Sequence, residues 1–267
     1  MESTPPRTAL RVRDLSAGYG GTPVLQGVSF DVRAGALTGL IGPNGAGKST
    51  LIKAVLGEIR SRGEVRIAGG QDLRDVAYVP QRSGIDFTFP ITVEEVALQG
   101  TFAHLPWWRR PGRSERAWAR ECLEAVGMAD FRNRSLGHLS GGQAARVFIA
   151  RALAQQPRVF LLDEPFAAID MASEERILDV LRERASAGDA VLIVHHNLTQ
   201  VPSYFDDLIA LNRTIVATGA VAEVFTPEVL AEAFPDAFAV AELARAHAHH
   251  AGRGASENSP APEGEQR

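Results

Sequence analysis

The stretch that decides the fold is Gly42-Pro43-Asn44-Gly45-Ala46-Gly47-Lys48-Ser49-Thr50, which contains the spacing G-x-x-x-x-G-K-[ST]. Glycines let the backbone bend tightly and turn its N–H groups toward an anion. Lys48 supplies positive charge for the outer phosphates of a nucleotide, and the Ser49 hydroxyl suits Mg²⁺. The apolar run 37–41 predicts a strand before this loop. Residues 50–56 predict a helix after it, whose N-terminus faces the phosphates. The context therefore favours a phosphate-binding loop over a glycine-rich turn without function.

The composition is that of a globular chain with room for one large domain or two small ones. Of 267 residues, 45% are hydrophobic and 22% are charged, and the net charge of −4 gives no general basic character favouring nucleic acid. The single cysteine, Cys122, cannot form an internal disulfide, which favours a reducing compartment. No apolar run approaches the roughly 20 residues that span a bilayer, and the first residues lack a signal-peptide core. We therefore expect a cytoplasmic chain that acts at a membrane only by docking onto another protein.

Apolar patterns of two periods alternate along the chain and predict an α/β fold with a mostly parallel sheet covered on both faces. Short strands are predicted within 10–32 and at 64–67, 76–79, 159–162 and 190–194, and helices within 92–128 and at 144–154 and 174–185. We expect a flexible N-terminus at 1–8 and one domain at 9–246 with a helical insertion at about 86–140. The Gly-, Ser-, Pro- and Glu-rich segment 247–267 predicts a disordered tail.

Two further motifs surround this core. Val159 to Leu162 predicts a buried strand followed by Asp163 and Glu164, and ligands of parallel sheets bind at that end of a strand. Asp163 is a candidate for the Mg²⁺ shell, and Glu164 for polarising an attacking water. Farther upstream, Leu139 is followed by a helix start that exposes backbone amides and has a good N-cap residue, with the sequence Ser140-Gly141-Gly142-Gln143.

Together these motifs resemble the nucleotide-binding subunits of ABC transporters over about residues 10–238. The resemblance implies a P-loop NTPase core with a mostly parallel sheet flanked by helices, an antiparallel β subdomain and an inserted α-helical subdomain. It also implies ATP and Mg²⁺ as cofactors. Tyr19 matches the aromatic residue that stacks on adenine, Gln81 the glutamine that senses Mg²⁺ and the membrane partner, and Asp170 the aspartate of the loop crossing between subunits. His196 matches the histidine that contacts the γ-phosphate, whereas the adjacent His195 is interpreted as structural.

The chain departs from the family pattern at three places, none of which removes a catalytic group. Ala144 and Ala145 replace basic or amide residues after the signature, Asn197 replaces a common aspartate, and the crossing loop reads FAAID. These departures concern the coupling between subunits rather than hydrolysis.

In the family, the phosphate-binding loop and the signature lie at opposite ends of the fold, so the resemblance implies a head-to-tail homodimer. Each ATP would be sandwiched between the loop of one subunit and Ser140 and Gly142 of the other. Joining with ATP and separating after hydrolysis would move an integral-membrane permease, which implies a peripheral position on the cytoplasmic face of the membrane.

Several segments resemble more specifically the importers of manganese, zinc and iron. These are the run FTFPITVEEVALQG, then HLPWWRRP, Phe166, the pair His195-His196 and the segment Tyr204-Phe205-Asp206. This resemblance implies an extracytoplasmic metal-binding protein that acts through the permease. Phe87 and Phe89 follow Gln81, where the permease would insert.

Two segments have open interpretations. Trp107, Trp108, Arg109 and Arg110 suit a protein interface or a membrane surface, or else their rings pack against the helical region. Histidines at 247, 249 and 250 could bind metal, but their position in a polar tail favours a solvated segment.

Three alternative functions remain. An ABC ATPase acting on nucleic acid or ribosomes usually has paired modules, long coiled-coil insertions or basic patches, which this chain lacks. A P-loop kinase would need an acceptor site and a lid, and the Ser-Gly-Gly-Gln signature argues against it. An ABC importer for another solute, such as an iron chelate, shares the same motor chemistry.

Overall fold

The core is a six-stranded sheet with the strand order β5-β6-β7-β3-β8-β9. A computed structural model describes residues 7–68, 73–81, 89–167 and 169–235. The strands of this sheet are β3 (Leu37–Ile41), β5 (Val76–Val79), β6 (Val159–Asp163), β7 (Ala190–Val194), β8 (Asp207–Asn212) and β9 (Thr214–Ala220). All neighbouring pairs are parallel except β8 and β9, which are antiparallel. The predicted mostly parallel α/β sheet is therefore confirmed.

A second sheet is antiparallel and contains three strands in the order β2-β1-β4. They are β1 (Thr8–Tyr19), β2 (Thr22–Arg33) and β4 (Ser61–Ile67). The sequence predicts several short strands here, but β1 and β2 each continue for 12 residues. Register shifts along both strands absorb the residues that interrupt the alternating pattern, as β-bulges do. Thr8, the last residue of the predicted flexible N-terminus 1–8, is the first residue of β1 and pairs with Arg33.

Successive side chains along the strands of the core sheet belong alternately to two separate hydrophobic clusters. From β6, Val159 and Leu161 pack with the antiparallel sheet and with α1 (Lys48–Val55). Phe160 and Leu162 face the opposite cluster, which includes α4 (Gly141–Ala154) and α5 (Met171–Ser186). Because both faces are covered, the central strands are apolar throughout, as expected of buried parallel strands.

The helical subdomain consists of α2 (Val93–Gly100) and α3 (Arg113–Ala125), which pack against each other and against α4. A capping box starts α2, because the Thr92 hydroxyl accepts from the Glu95 N–H while Glu95 accepts from the Thr92 N–H. Trp118 of α3 donates to the Ala154 carbonyl at 3.2 Å and so joins the subdomain to the end of α4. The subdomain therefore packs against α4, the helix whose first residues are the signature.

Three short helices complete the C-terminal part of the described chain. They are α6 (Val201–Tyr204), α7 (Val221–Val224) and α8 (Pro227–Ala233). Among the described residues, we find no helix that has both the length and the hydropathy of a membrane span. The predicted tail 247–267 lies outside the described residues.

Candidate active site

Four adjacent parallel strands bring the predicted motifs to one edge of the core sheet. The order β5-β6-β7-β3 places Gln81, Glu164, His196 and Gly42 just beyond the carboxyl ends of neighbouring strands. Carboxyl ends of parallel strands form the usual ligand-binding edge of such sheets. Residues separated by more than a hundred positions in the sequence therefore meet at one site.

The phosphate-binding loop connects β3 to α1 in a tightly fixed conformation. Gly42 admits only hydrogen at its α-carbon, since an added Cβ would lie 2.1 Å from the Leu211 carbonyl oxygen. Gly47 is the N-cap of α1 at φ 99°, a left-handed conformation that favours glycine. Since glycine has no side chain to cap the helix, no side chain occupies the first N–H groups of α1, which can bind an anion.

Lys48 is buried and folds back across this loop. Its ammonium donates to the Gly42 carbonyl at 2.7 Å and to the Pro43 carbonyl at 3.0 Å. Burial lowers the pKa of Lys48, while the nearby Glu164 and Asp163 carboxylates oppose that shift. The cation is thus held at the loop by partners that a triphosphate can replace.

The two acidic residues after β6 occupy different environments. Asp163 is buried, and burial raises its pKa, whereas hydrogen bonding with Ser49 and the charge of Lys48 act in the opposite direction. Glu164 turns out of the strand with φ 51°, an uncommon conformation for a non-glycine residue that costs roughly 1–2 kcal/mol. This turn brings its carboxylate to Gln81, whose amide nitrogen donates to it at 2.9 Å. This hydrogen bond directly joins Gln81, which follows β5, to Glu164, which follows β6.

An open cleft of about 290 Å³ lies over these groups. The described residues that line it are Val24, Asn44, Gly45, Gly47, Lys48, Ser49, Thr50, Gln81 and Glu164. Val24, on β2, is the one lining residue that sequence analysis missed, and its ordinary apolar strand context gave no signal. The antiparallel sheet therefore supplies one wall of the cleft.

The signature segment lies apart from this cleft. Residues 140–143 are absent from its described lining. Ser140 is exposed and caps α4, since its hydroxyl accepts from the Gln143 N–H at 3.3 Å while its own N–H donates to the Gln143 amide oxygen at 3.0 Å. The helix start is thus preformed, with Ser140 exposed and Gly142 buried.

Three other predicted residues, Tyr19, Asp170 and His196, are absent from the described lining of the cleft. Tyr19 is 49% exposed at the end of β1. Asp170 caps α5 by accepting from the Ser173 N–H at 3.0 Å, and hydrogen bonds with the side chain and the backbone of Ser173 lower its pKa. His196 is exposed, whereas His195 is buried and its ring nitrogen Nε2 lies 3.1 Å from the Gln200 amide oxygen.

Aromatic side chains mark the outer surface of the helical subdomain. Trp107 is 91% exposed and Trp108 is 72% exposed, so their rings do not pack against the helices. Phe89 is 61% exposed at the start of the subdomain. Phe87 and the tail histidines lie outside the described residues.

A model of the family described as ABC transporter matches residues 25–167. This chain belongs to the ABC transporter family. As an ATP-binding cassette of this family it is an ATPase, and ATP is its substrate.

Two relatives and two structures illustrate the range of similar proteins. The manganese transport system ATP-binding protein MntB of Halalkalibacterium halodurans is 45% identical over 84% of this chain and 91% of its own. The zinc transport system ATP-binding protein TroB of Treponema pallidum is 45% identical over 85% of this chain and 86% of its own. A metal-chelate type ABC transporter in an inward-facing conformation is 28% identical, with TM-score 0.75, covering 85% of this chain and 89% of its own. A dimeric bacterial ABC transporter cassette is 27% identical, with TM-score 0.70, covering 79% and 98%.

Proposed function

We propose that this ATPase powers the uptake of a transition-metal ion, manganese, zinc or iron, through a separate integral-membrane permease. The observation that carries the proposal is the meeting of the phosphate-binding loop, Gln81 and Glu164 in one cleft, which supplies an ATP-hydrolysing site. The choice of a metal is supported by relatives of 45% identity that are named for manganese and zinc transport.

Within this cleft, each residue has a distinct role in our proposal. The N–H groups of the loop and Lys48 bind the phosphates, and Tyr19 stacks on the adenine. Glu164 orients or deprotonates the attacking water, because its carboxylate projects into the cleft from a strained turn. His196 holds the γ-phosphate from the neighbouring strand end. Catalysis is then mostly positioning and stabilisation of charge.

The chemistry of the donor groups also fits Mg²⁺. The Ser49 hydroxyl, the Asp163 carboxylate and the Gln81 amide oxygen are hard oxygen donors of the kind this ion prefers. The ion would neutralise charge on the phosphates, while Asp163 and Ser49 hold its shell.

We further propose that two copies complete each site. The signature of one chain, Ser140 to Gln143, closes on the ATP held by the loop of the other, and Asp170 lies at the crossing between them. A preformed helix start that is separate from its own cleft supports this arrangement, as does the similarity to a dimeric cassette.

The partners follow from this cycle. A permease docks beside Phe89 and the helical subdomain, and an extracytoplasmic metal-binding protein acts through that permease. The chain is then a cytoplasmic protein peripheral to the membrane, and it requires no nucleic acid.

The proposal is tested with the complex of this chain and its permease in proteoliposomes. ATPase activity is measured with the binding protein loaded separately with Mn²⁺, Zn²⁺ or iron, and with metal-free binding protein as the control. We expect stimulation and uptake with at least one metal-loaded form. ATP hydrolysis without stimulation or uptake for any of the three would contradict the metal assignment while leaving the ATPase intact.

An iron chelate is the second candidate substrate, favoured by the similarity to the metal-chelate type transporter. The same assay with a ferric chelate separates the two. ATPase activity that is stimulated by the chelate-loaded binding protein, and by none of the three metal-loaded forms, would establish this alternative.

Docking at Phe89 has its own test. A charge at this exposed apolar position should weaken binding to the permease, because it would be desolvated in the contact. Phe89→Glu is compared with Phe89→Leu, which keeps an apolar side chain, by co-purification with the permease. Equal recovery of both variants would place the contact elsewhere. ATP affinity should be unchanged in both.

A further inference from the structure

A hydrogen-bonded cluster lies directly behind the ATP site and outside the roles assigned above. It consists of His195, Gln200, Tyr204 and Glu174, with Phe166 and Phe205 packed around them, and we call it the histidine cluster. His195 is only 3% exposed. A buried imidazole must satisfy its N–H group within the protein, so its partners determine its orientation.

The hydrogen bonds run in one donor-to-acceptor direction, from His195 to Gln200 and from Gln200 to Tyr204 and Glu174. With the Nε2 proton on the ring, His195 donates to the Gln200 amide oxygen at 3.1 Å. The Gln200 amide nitrogen donates to the Tyr204 hydroxyl at 2.8 Å and to the Glu174 carboxylate at 3.4 Å. Burial and the neighbouring His196 lower the pKa of His195, which favours the neutral ring.

The cluster joins two segments, the one after β7 that contains His196 and the connection between β6 and α5 that contains Glu164 and Asp170. His195 is the residue immediately before His196, and its N–H remains bound to the Leu40 carbonyl at 3.0 Å. Phe166 lies two residues after Glu164, and its ring meets the His195 ring edge-on at 6.1 Å. Glu174 lies in the first turn of α5, and its N–H donates to the carbonyl of Asp170, the residue that caps that helix.

We propose that His195 is a positioning residue, which through Gln200 fixes the loop of His196 relative to Glu164 and Asp170. This inference rests on the proposed roles of those three residues. Without the His195–Gln200 bond, the His196 loop can shift against the other two. A small misplacement near the reacting groups lowers turnover without changing ATP binding, which depends on the phosphate-binding loop.

The test compares two substitutions at position 195. Phe keeps an aromatic ring among Phe166, Tyr204 and Phe205 but has no donor. Gln carries an N–H group three bonds from its Cβ, as Nε2 is in histidine. We expect His195→Phe to lower kcat about 10- to 100-fold with KM for ATP and Tm unchanged. His195→Gln should restore most of the activity.

A second variant guards against a simple folding defect. Gln200→Met removes the acceptor without touching His195 and should lower kcat by a similar factor. The double variant His195→Phe/Gln200→Met should be no slower than either single one, since both break the same connection. Additive losses, full activity of His195→Phe, or failure of His195→Gln to recover activity would each overturn the inference.

His196→Ala distinguishes failure of this inference from failure of the proposed site. If His196→Ala abolishes turnover and His195→Phe retains it, only the positioning role is wrong. If His196→Ala retains full turnover, the γ-phosphate role on which the inference depends is wrong.

Discussion

The phosphate-binding loop and the signature segment are both helix starts, but the fold treats their polar groups differently. In the loop, the ammonium of buried Lys48 donates to the carbonyls of Gly42 and Pro43, and Gly47 leaves the first N–H groups of α1 without a side-chain cap. In the signature, the exposed Ser140 already caps α4 through a reciprocal pair of hydrogen bonds with Gln143. The loop lies in a cleft with Gln81 and Glu164, whereas the signature residues are absent from the described lining of that cleft.

On our proposal, this difference means that a single chain contains two separate halves of a nucleotide site, which only a second copy can bring together. We expect the loop half to bind ATP by itself, because the loop residues, Lys48 and Ser49 line one cleft. The signature half is already ordered by the Ser140–Gln143 hydrogen bonds, so we expect its closure on a second copy to cost little ordering entropy. We therefore expect changes in the loop to affect binding and changes in the signature to affect turnover.

The largest effect is expected from Lys48→Ala. It removes the charge at the outer phosphates, so ATP affinity should fall by about 100-fold or more, measured by calorimetry. Lysine occurs twice in the chain, and Lys53→Ala is the control because Lys53 lies on the same helix but is absent from the described lining of the cleft. Normal affinity of Lys48→Ala would contradict the phosphate-binding loop.

Glu164→Gln should leave binding intact and stop turnover. The amide keeps the shape and the contact with Gln81 but cannot accept a proton, so kcat should fall by about 10²–10⁴. The steady-state ATPase rate measures this, with ATP affinity as the control. Turnover at the wild-type rate would remove Glu164 from its proposed role.

Ser140→Asp probes the signature half separately from the stability of α4. Aspartate caps a helix as well as serine does, but its charge would oppose the γ-phosphate of a second subunit. We expect an unchanged Tm, unchanged ATP affinity of the single chain and a kcat about 10- to 100-fold lower. Ser140→Thr, which keeps the hydroxyl, should remain active. Equal activity of the two variants would indicate that the signature does not meet ATP.

The smallest effect concerns the attachment of the antiparallel sheet, which carries the Val24 wall of the cleft. Arg33 of β2 binds Asp207 of β8 through two hydrogen bonds of 2.5 and 2.6 Å, and Asp207 is buried. Because Arg33 is partly exposed, Asp207→Asn should lower the free energy of unfolding by about 1–2 kcal/mol, measured by urea denaturation.

The matched control for Asp207 is Asp179→Asn in the exposed pair with Arg182. It should cost less than about 0.5 kcal/mol, because solvent screens both charges. Equal losses in the two variants would mean that the Arg33–Asp207 pair does not hold the sheets together.

Local sequence patterns predicted the strands and helices that carry the motifs, but they did not predict the contacts between residues far apart in the sequence. The strands 37–41, 76–79 and 190–194 have the predicted bounds because buried apolar runs flanked by polar turns define them clearly. The signature helix starts at Gly141 rather than 144, since the Ser140 cap includes the glycines.

The bond between Gln81 and Glu164 joins residues 83 positions apart, and the Arg33–Asp207 pair joins residues 174 apart. Periodicity carries no information on such pairs. Val24 and the partners of His195 were missed for the same reason, because only the strand order brings them to the site.

The most direct measurement is the mass of Glu164→Gln in solution, determined by light scattering with and without ATP and Mg²⁺. If each site needs the signature of a second copy, the mass should double with ATP, and adding Ser140→Asp to the same chain should keep it single. A chain that retains the mass of one copy while holding ATP fully protected from solvent would contradict the account.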